Sequence, residues 1–176
     1  FAQRELHWDA LFVTAHLDAS GALSVIEDQT IVFTGDWNGG ERTFNIRPPQ
    51  KLSFEGMSRW GGGWRPMQES SGLRGIDDFA FTDAKTLRWR SRLPNDPPFD
   101  HTPMRYQLRY RLSRILLQDA ETYTLDHDFA FPKRDGVIER YELRLTGDPA
   151  VQPQSTVRDV YTADALAPGR GFVLTI

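Results

Sequence analysis

The sequence predicts an all-β protein, an antiparallel β-sandwich of about eight to nine strands with an immunoglobulin-like or jelly-roll-like arrangement. Three observations predict it. Apolar residues alternate with polar ones at a period of two along most of the chain, turn-forming residues punctuate the alternation at regular intervals, and helical periodicity is nearly missing. The 176 residues suffice for one domain with a sizeable core and are few for two, so residues 1–176 are read as a single domain.

The clearest strand carries Met104, Tyr106, Leu108, Tyr110 and Leu112 on one face and Arg105, Gln107, Arg109 and Arg111 on the other. Leu6 to Leu17 and Leu23 to Thr34 come first, joined by the turn Asp18-Ala19-Ser20-Gly21. Both mix apolar residues onto two faces, as central or covered strands do. Arg42 to Ile46, Lys51 to Met57, Leu87 to Arg92, Thr122 to Phe131, Ile138 to Thr146 and Phe172 to Ile176 follow. Residues 58–78, rich in glycine, and residues 93–103, rich in proline, read as loops, and Asp159 to Leu166 reads as a short helical turn.

Composition narrows the function. Hydrophobic residues make up 39% and aromatic residues 12%, which excludes a disordered chain, and no apolar run has the length that a bilayer crossing needs. The net charge of -3 gives no reason to expect nucleic acid as a partner. Cysteine is absent, which removes disulfides, thiolate metal sites and thiol nucleophiles together. The opening Phe-Ala-Gln-Arg-Glu-Leu places a small residue at Ala2, consistent either with the trace of a removed signal peptide or with a mere boundary of the sequence.

Four places could carry chemistry. Trp37, Gly39-Gly40, Glu41 and Arg42 form a patch at a strand end, where Arg42 is expected to pair with a carboxylate such as Glu27 or Glu41. Trp60 and Trp64 flank three glycines; such indoles can stack on a sugar or fill an interface, or fold back on the sandwich from a glycine turn. Asp126 and Asp128 share one strand face roughly 7 Å apart, close enough to share a cation or divide acid and base roles, while His127 points the other way. A run of Lys85, Arg88, Arg90, Arg92, Arg105, Arg109, Arg111 and Arg114 is either an anion-facing surface or the polar side of strands facing acidic neighbours. No Gly-x-Ser-x-Gly elbow, P-loop or histidine ligand spacing is present.

The stretch "DASGALSVIEDQTIVFTGDWNGGERTFNI" resembles the opening of the extracytoplasmic domain of the domain of unknown function family 2207, predicted bacterial and archaeal membrane proteins. Asp18, Gly21, Leu23, Val25 and Glu27 match its hairpin, and Gly40, Arg42 and Ile46 match the segment after it. "YQLRYRL" is similar to its Tyr-x-Leu-x-Tyr strand, and "LAPGRGFVLTI" to its last strand before the membrane helix. Trp37-Asn38 stands where that family has histidine before the glycines, and Leu125-Asp126 where it has Tyr-Trp-Asn. The resemblance implies a signal peptide upstream, transmembrane helices beyond Ile176 and a domain on the outer side of a bacterial cell membrane. It implies no activity and no cofactor.

The expected function is accordingly a non-catalytic domain of a membrane-anchored envelope protein that mediates protein or envelope contacts. Its binding residues would be Trp37, Arg42, Trp60 and Trp64, and the alternatives are a carbohydrate-binding module whose Trp37, Trp60, Trp64 and Trp89 would have to be exposed and roughly coplanar, or a carboxylate-based hydrolase or metal site at Asp126 and Asp128. The partner would be an envelope protein or glycan, with no cofactor and no nucleic acid.

Overall fold

The computed structural model describes residues 3–151, 153 and 157–176, and every regular element among them is a strand. In chain order they are β1 (Glu5–Leu17), β2 (Leu23–Gly35), β3 (Glu41–Thr43), β4 (Lys51–Trp60), β5 (Trp64–Pro66), β6 (Gln68–Glu69) and β7 (Asp78–Phe81). The chain continues with β8 (Thr86–Trp89), β9 (Phe99–Ser113), β10 (Leu116–Asp119), β11 (Thr122–Asp128), β12 (Ile138–Gly147), β13 (Val160–Leu166) and β14 (Val173–Thr175).

The protein is all-β and sandwich-like. A seven-stranded sheet, in the order β13-β12-β1-β2-β9-β4-β5, forms one layer. Two small sheets, β3-β8-β7-β6 and β10-β11-β14, form the other. The long strands alternate as their sequences dictate: on β9, Tyr106, Leu108, Tyr110 and Leu112 are buried, whereas Arg105 and Arg109 are exposed. Aromatic side chains join the layers, with Phe44 edge-on to Tyr110 at 4.9 Å, Trp89 at 5.3 Å from Tyr106, and Tyr141 at 4.8 Å from Phe172.

The turn at Asp18 forms as its residues require. Gly21 takes φ +80°, and Asp18 Oδ1 accepts hydrogen bonds from the backbone N–H of Ser20 and Ala22 at 2.8 and 3.2 Å. Arg111 also pairs with this carboxylate, at 2.5 Å.

Several details differ from the sequence reading. Residues Asp159 to Leu166 hold no helical turn: Val160–Leu166 is a strand antiparallel to β12, with Tyr161 facing Leu143 and Ala163 facing Tyr141. The glycine-rich stretch is ordered by a hairpin, β4 to β5, in which Trp60 faces Trp64 and Gly62 supplies φ +75° at the tip. Two of the three sheets are also mixed, since β1 pairs with β12 in parallel and β6 with β7 likewise. A parallel pair needs a long crossover, and the chain from β2 to β11 supplies it for β1 and β12. Fourteen strands appear among the described residues because segments of two to four residues are too short to show alternation in sequence.

Candidate functional site

Arg42 leaves β3 toward the interior and meets Glu27 from β2. The pair is closed to solvent, with side-chain exposures of 2% and 0% and Nη2 2.6 Å from Oε1. Nε of Arg42 donates to both carboxylate oxygens at 3.1 Å, Tyr110 Oη donates to Oε1 at 2.7 Å, and Gln29 Nε2 donates to Oε2 at 2.8 Å. Trp8 Nε1 completes the chain by donating to Gln29 Oε1 at 2.9 Å. The guanidinium lies between the rings of Phe44 and Phe131, at 4.4 and 4.2 Å from their centroids.

Burial is the largest influence on Arg42 and opposes its charge, but Glu27 and Tyr110 together, through charge and hydrogen bonds, outweigh it and raise its pKa. Burial pushes the Tyr110 hydroxyl far up, and the Glu27 charge adds to that. The nearby His127 imidazole is lowered to about 4, first by burial and next by the Arg42 charge, so it is neutral at pH 7. With every polar group partnered and water excluded, this network orders the core and offers nothing to a ligand. Glu41, the other carboxylate in reach by sequence, instead pairs with Arg88 at 2.5 Å on the surface.

The patch around Trp37 borders open space. A cleft of about 890 Å³ lies between β3 and residues 132–135. Its floor is the end of the large sheet, at Trp8, Ile31 and Phe33, and its walls include Trp37, Gly39, Gly40, Thr43, Lys133 and Arg134. A second cavity of about 580 Å³ shares Arg4, Leu6, Trp37 and Asp135 with it. Trp37 is half-buried and held by its indole N–H, which donates to Glu5 O at 3.0 Å, while Arg92 Nε donates to the Trp37 carbonyl at 2.9 Å. Gly39 and Gly40 are there for close approach: a Cβ would lie 1.8 Å from Trp89 O at Gly39 and 2.1 Å from the Trp89 ring at Gly40.

The cleft carries more positive charge than negative. Arg4 is neutralised by Asp36 at 2.5 Å and Arg88 by Glu41. Arg90 and Arg134 donate to backbone carbonyls, of Leu73 and Arg92 for the first and of Leu166 and Ala167 among others for the second. Neither these two nor Lys133 makes an ion pair among the described residues. Partial burial lowers the pKa of Arg134, which stays charged. No such cleft is visible in the sequence, because its two sides are about ninety residues apart along the chain.

Trp60 and Trp64 sit elsewhere, at the far edge of the large sheet. Trp60 is 43% exposed, and its ring meets that of Trp64 edge-on at 73°. Both rings lie against the Arg105 guanidinium, at 5.4 and 5.1 Å, which is itself paired with Asp28 at 2.6 Å. Trp89 is only 2% exposed, and its Nε1, without a hydrogen bond among the described residues, lies in the interior.

Asp126 and Asp128 share a face of β11, opposite the buried His127. Their oxygens hold the edge strand: Asp126 Oδ1 accepts from Thr175 Oγ1 at 3.0 Å, and Asp128 Oδ1 from the N–H of Phe172 at 2.9 Å and of Ala130 at 3.0 Å. Gly171 packs so closely that a Cβ there would be 2.0 Å from Asp128 Oδ2. Among the described residues, no three histidine, aspartate or glutamate side chains gather as a metal would need.

The arginines of the sequence run do not form one stripe. Arg105, Arg109 and Arg111 face outward from the large sheet, Arg88 belongs to a small sheet, and Arg92 is buried among carbonyls.

Fold and site thus define an all-β, sandwich-like chain with a sealed ionic core and a basic, aromatic-floored cleft beside it. No protein-family model matches the chain, and no curated protein matches it. The crystal structure of a candidate protease from Parabacteroides distasonis is similar over 93% of this chain and 36% of that one, with 9% identity and a TM-score of 0.48. This chain therefore spans little more than a third of that protein's length.

Proposed function

We propose that the chain is a non-catalytic extracytoplasmic domain of a membrane-anchored envelope protein, and that it makes its contacts through the cleft beside Trp37. The observation that carries this reading is the cleft itself, about 890 Å³ with an apolar floor and cationic walls, a size and lining typical of binding sites. The resemblance at Asp18, Gly21, Glu27 and Arg42 supports the envelope placement. The tryptophan geometry favours this reading over sugar stacking, since Trp60 and Trp64 are perpendicular and Trp89 is buried.

Two measurements test it. Membrane-impermeant labelling of intact cells that express the full-length protein should modify this domain, and protection until lysis would overturn the placement. In titrations of the 15N-labelled chain with soluble peptides and glycans, a binder should shift the amides of Gly39 and Gly40 and the Trp37 indole N–H. Shifts confined to the Trp60 and Trp64 hairpin would move the site there and revive the carbohydrate reading.

A further inference from the structure

We infer that the cleft takes an acidic peptide in extended form, which adds as a strand to the free edge of β3; the inference rests on the cleft being the contact site. β3 is the last strand of its sheet, paired with β8 on one side alone. The ladder shows which backbone groups point outward. Phe44 N–H donates to Lys85 O at 2.7 Å and Trp89 N–H to Gly40 O at 3.1 Å, so the hydrogen-bonded positions of this edge are Gly40, Arg42 and Phe44.

Glu41 and Thr43, which face Arg88 and Thr86 in the register, therefore turn their N–H and C=O groups away from β8. The Thr43 carbonyl accepts from Arg42 Nη1. Among the described residues, that leaves the Glu41 N–H, the Glu41 C=O and the Thr43 N–H as a short template at the border of the cleft. Exposed strand edges are normally blunted or covered, and this one opens instead on a cavity large enough for several residues of peptide.

Charge selects among peptides. Arg90, Lys133 and Arg134 border the same cleft without an ion-pair partner among the described residues, against Asp135 and the Arg88-paired Glu41 as the acidic residues of the lining, with the Asp128 charge also acting on Arg134. Alternate side chains of an added strand point toward the floor and toward solvent. Apolar residues would meet the half-buried Leu6 and Trp37, and acidic ones would face Lys133 and the arginines.

The test uses the 15N-labelled 176-residue chain. The probes are a blocked octapeptide of alternating glutamate and valine, its lysine–valine counterpart, and polygalacturonate as an anionic glycan. The acidic peptide should bind, and should slow hydrogen exchange at the amides of Glu41 and Thr43. Thr43→Pro removes an outward N–H while sparing the bonds to β8, so it should weaken binding at least ten-fold with the thermal midpoint little changed. Lys133→Glu should weaken it at least five-fold and make it less salt-sensitive. Binding unaffected by Thr43→Pro would overturn strand addition. Equal binding of the lysine peptide would overturn the charge argument. Polygalacturonate shifting Gly39 and Gly40 while the acidic peptide shifts nothing would overturn this inference and leave the cleft as a binding site. Silence of every cleft amide toward all three probes would count against both.

Discussion

Arg42 Nη2 lies 2.6 Å from Glu27 Oε1 with both side chains sealed between the layers of the sandwich. Two charges so placed are tolerated because each is fully hydrogen-bonded, and removing one leaves the other stranded. Arg42→Met should therefore cost about 3–5 kcal/mol, read as a lower urea midpoint with an unchanged slope. Arg42→Lys should recover only part of this, since a single ammonium cannot span both carboxylate oxygens. The double variant Glu27→Leu/Arg42→Met should be more stable than Arg42→Met alone, because no buried charge is left without a partner.

Acidification should destabilise the protein through His127. Its folded pKa, near 4, is below the usual 6.5, mainly because of burial, with Arg42 opposing its charge and Asp128, Glu27 and Asp126 favouring it. The unfolded state thus binds more protons between these values, so stability is complete above about pH 6.5 and falls as pH drops toward 4. The loss reaches about 3 kcal/mol from this one group. Urea titrations at a series of pH values should show the decline, and His127→Gln should flatten it in that window; an unaltered slope in the variant would reassign the effect to other groups.

The glycine clusters should respond differently to alanine. At Gly39 a methyl would strike the Trp89 carbonyl, which is backbone and cannot swing aside, whereas at Gly63 it would meet nothing within 4 Å. Gly39→Ala should cost about 1–3 kcal/mol or more, and Gly63→Ala should stay within about 0.5 kcal/mol of the parent. Paired thermal melts check the contrast.

Asp128 should matter for stability without any metal. Its Oδ1 accepts the N–H of Ala130, which fixes the chain leaving β11, and the N–H of Phe172, which ties β11 to the chain entering β14. Asp128→Ala should cost about 1–3 kcal/mol by the same amount in millimolar calcium and in chelator. A calcium-dependent rise in the parent's melting temperature that this variant loses would instead make Asp126 and Asp128 a cation site.

Much of this architecture was legible along the chain. The period-two alternation of Met104 to Leu112 gave the all-β character and the buried face of β9, and Asp18 to Gly21 announced a turn through residues that favour it by their own chemistry. These are local properties: a strand's faces and a turn's φ are set by neighbours in sequence. Even Glu27 and Gln29 left a trace, standing at the same parity as Val25 and Ile31 and so directed inward, which called for a buried partner.

Which partner it would be was a tertiary decision. Arg42 had Glu41 beside it and Glu27 fifteen positions away, and the choice fell to Glu27 because the side chain of Arg42 points into the core while that of Glu41 points out. The same holds for Asp159 to Leu166, whose weak local pattern becomes a strand only because β12 offers it an edge to pair with. The cleft depends on tertiary structure entirely: Trp37 and Gly39 on one wall and Lys133 and Arg134 on the other lie in separate connecting segments with no relation in sequence, and only the folded chain sets them across one gap. Local propensity specifies strands and turns, but the pairing of strands across the intervening chain decides which surfaces meet and which are left open.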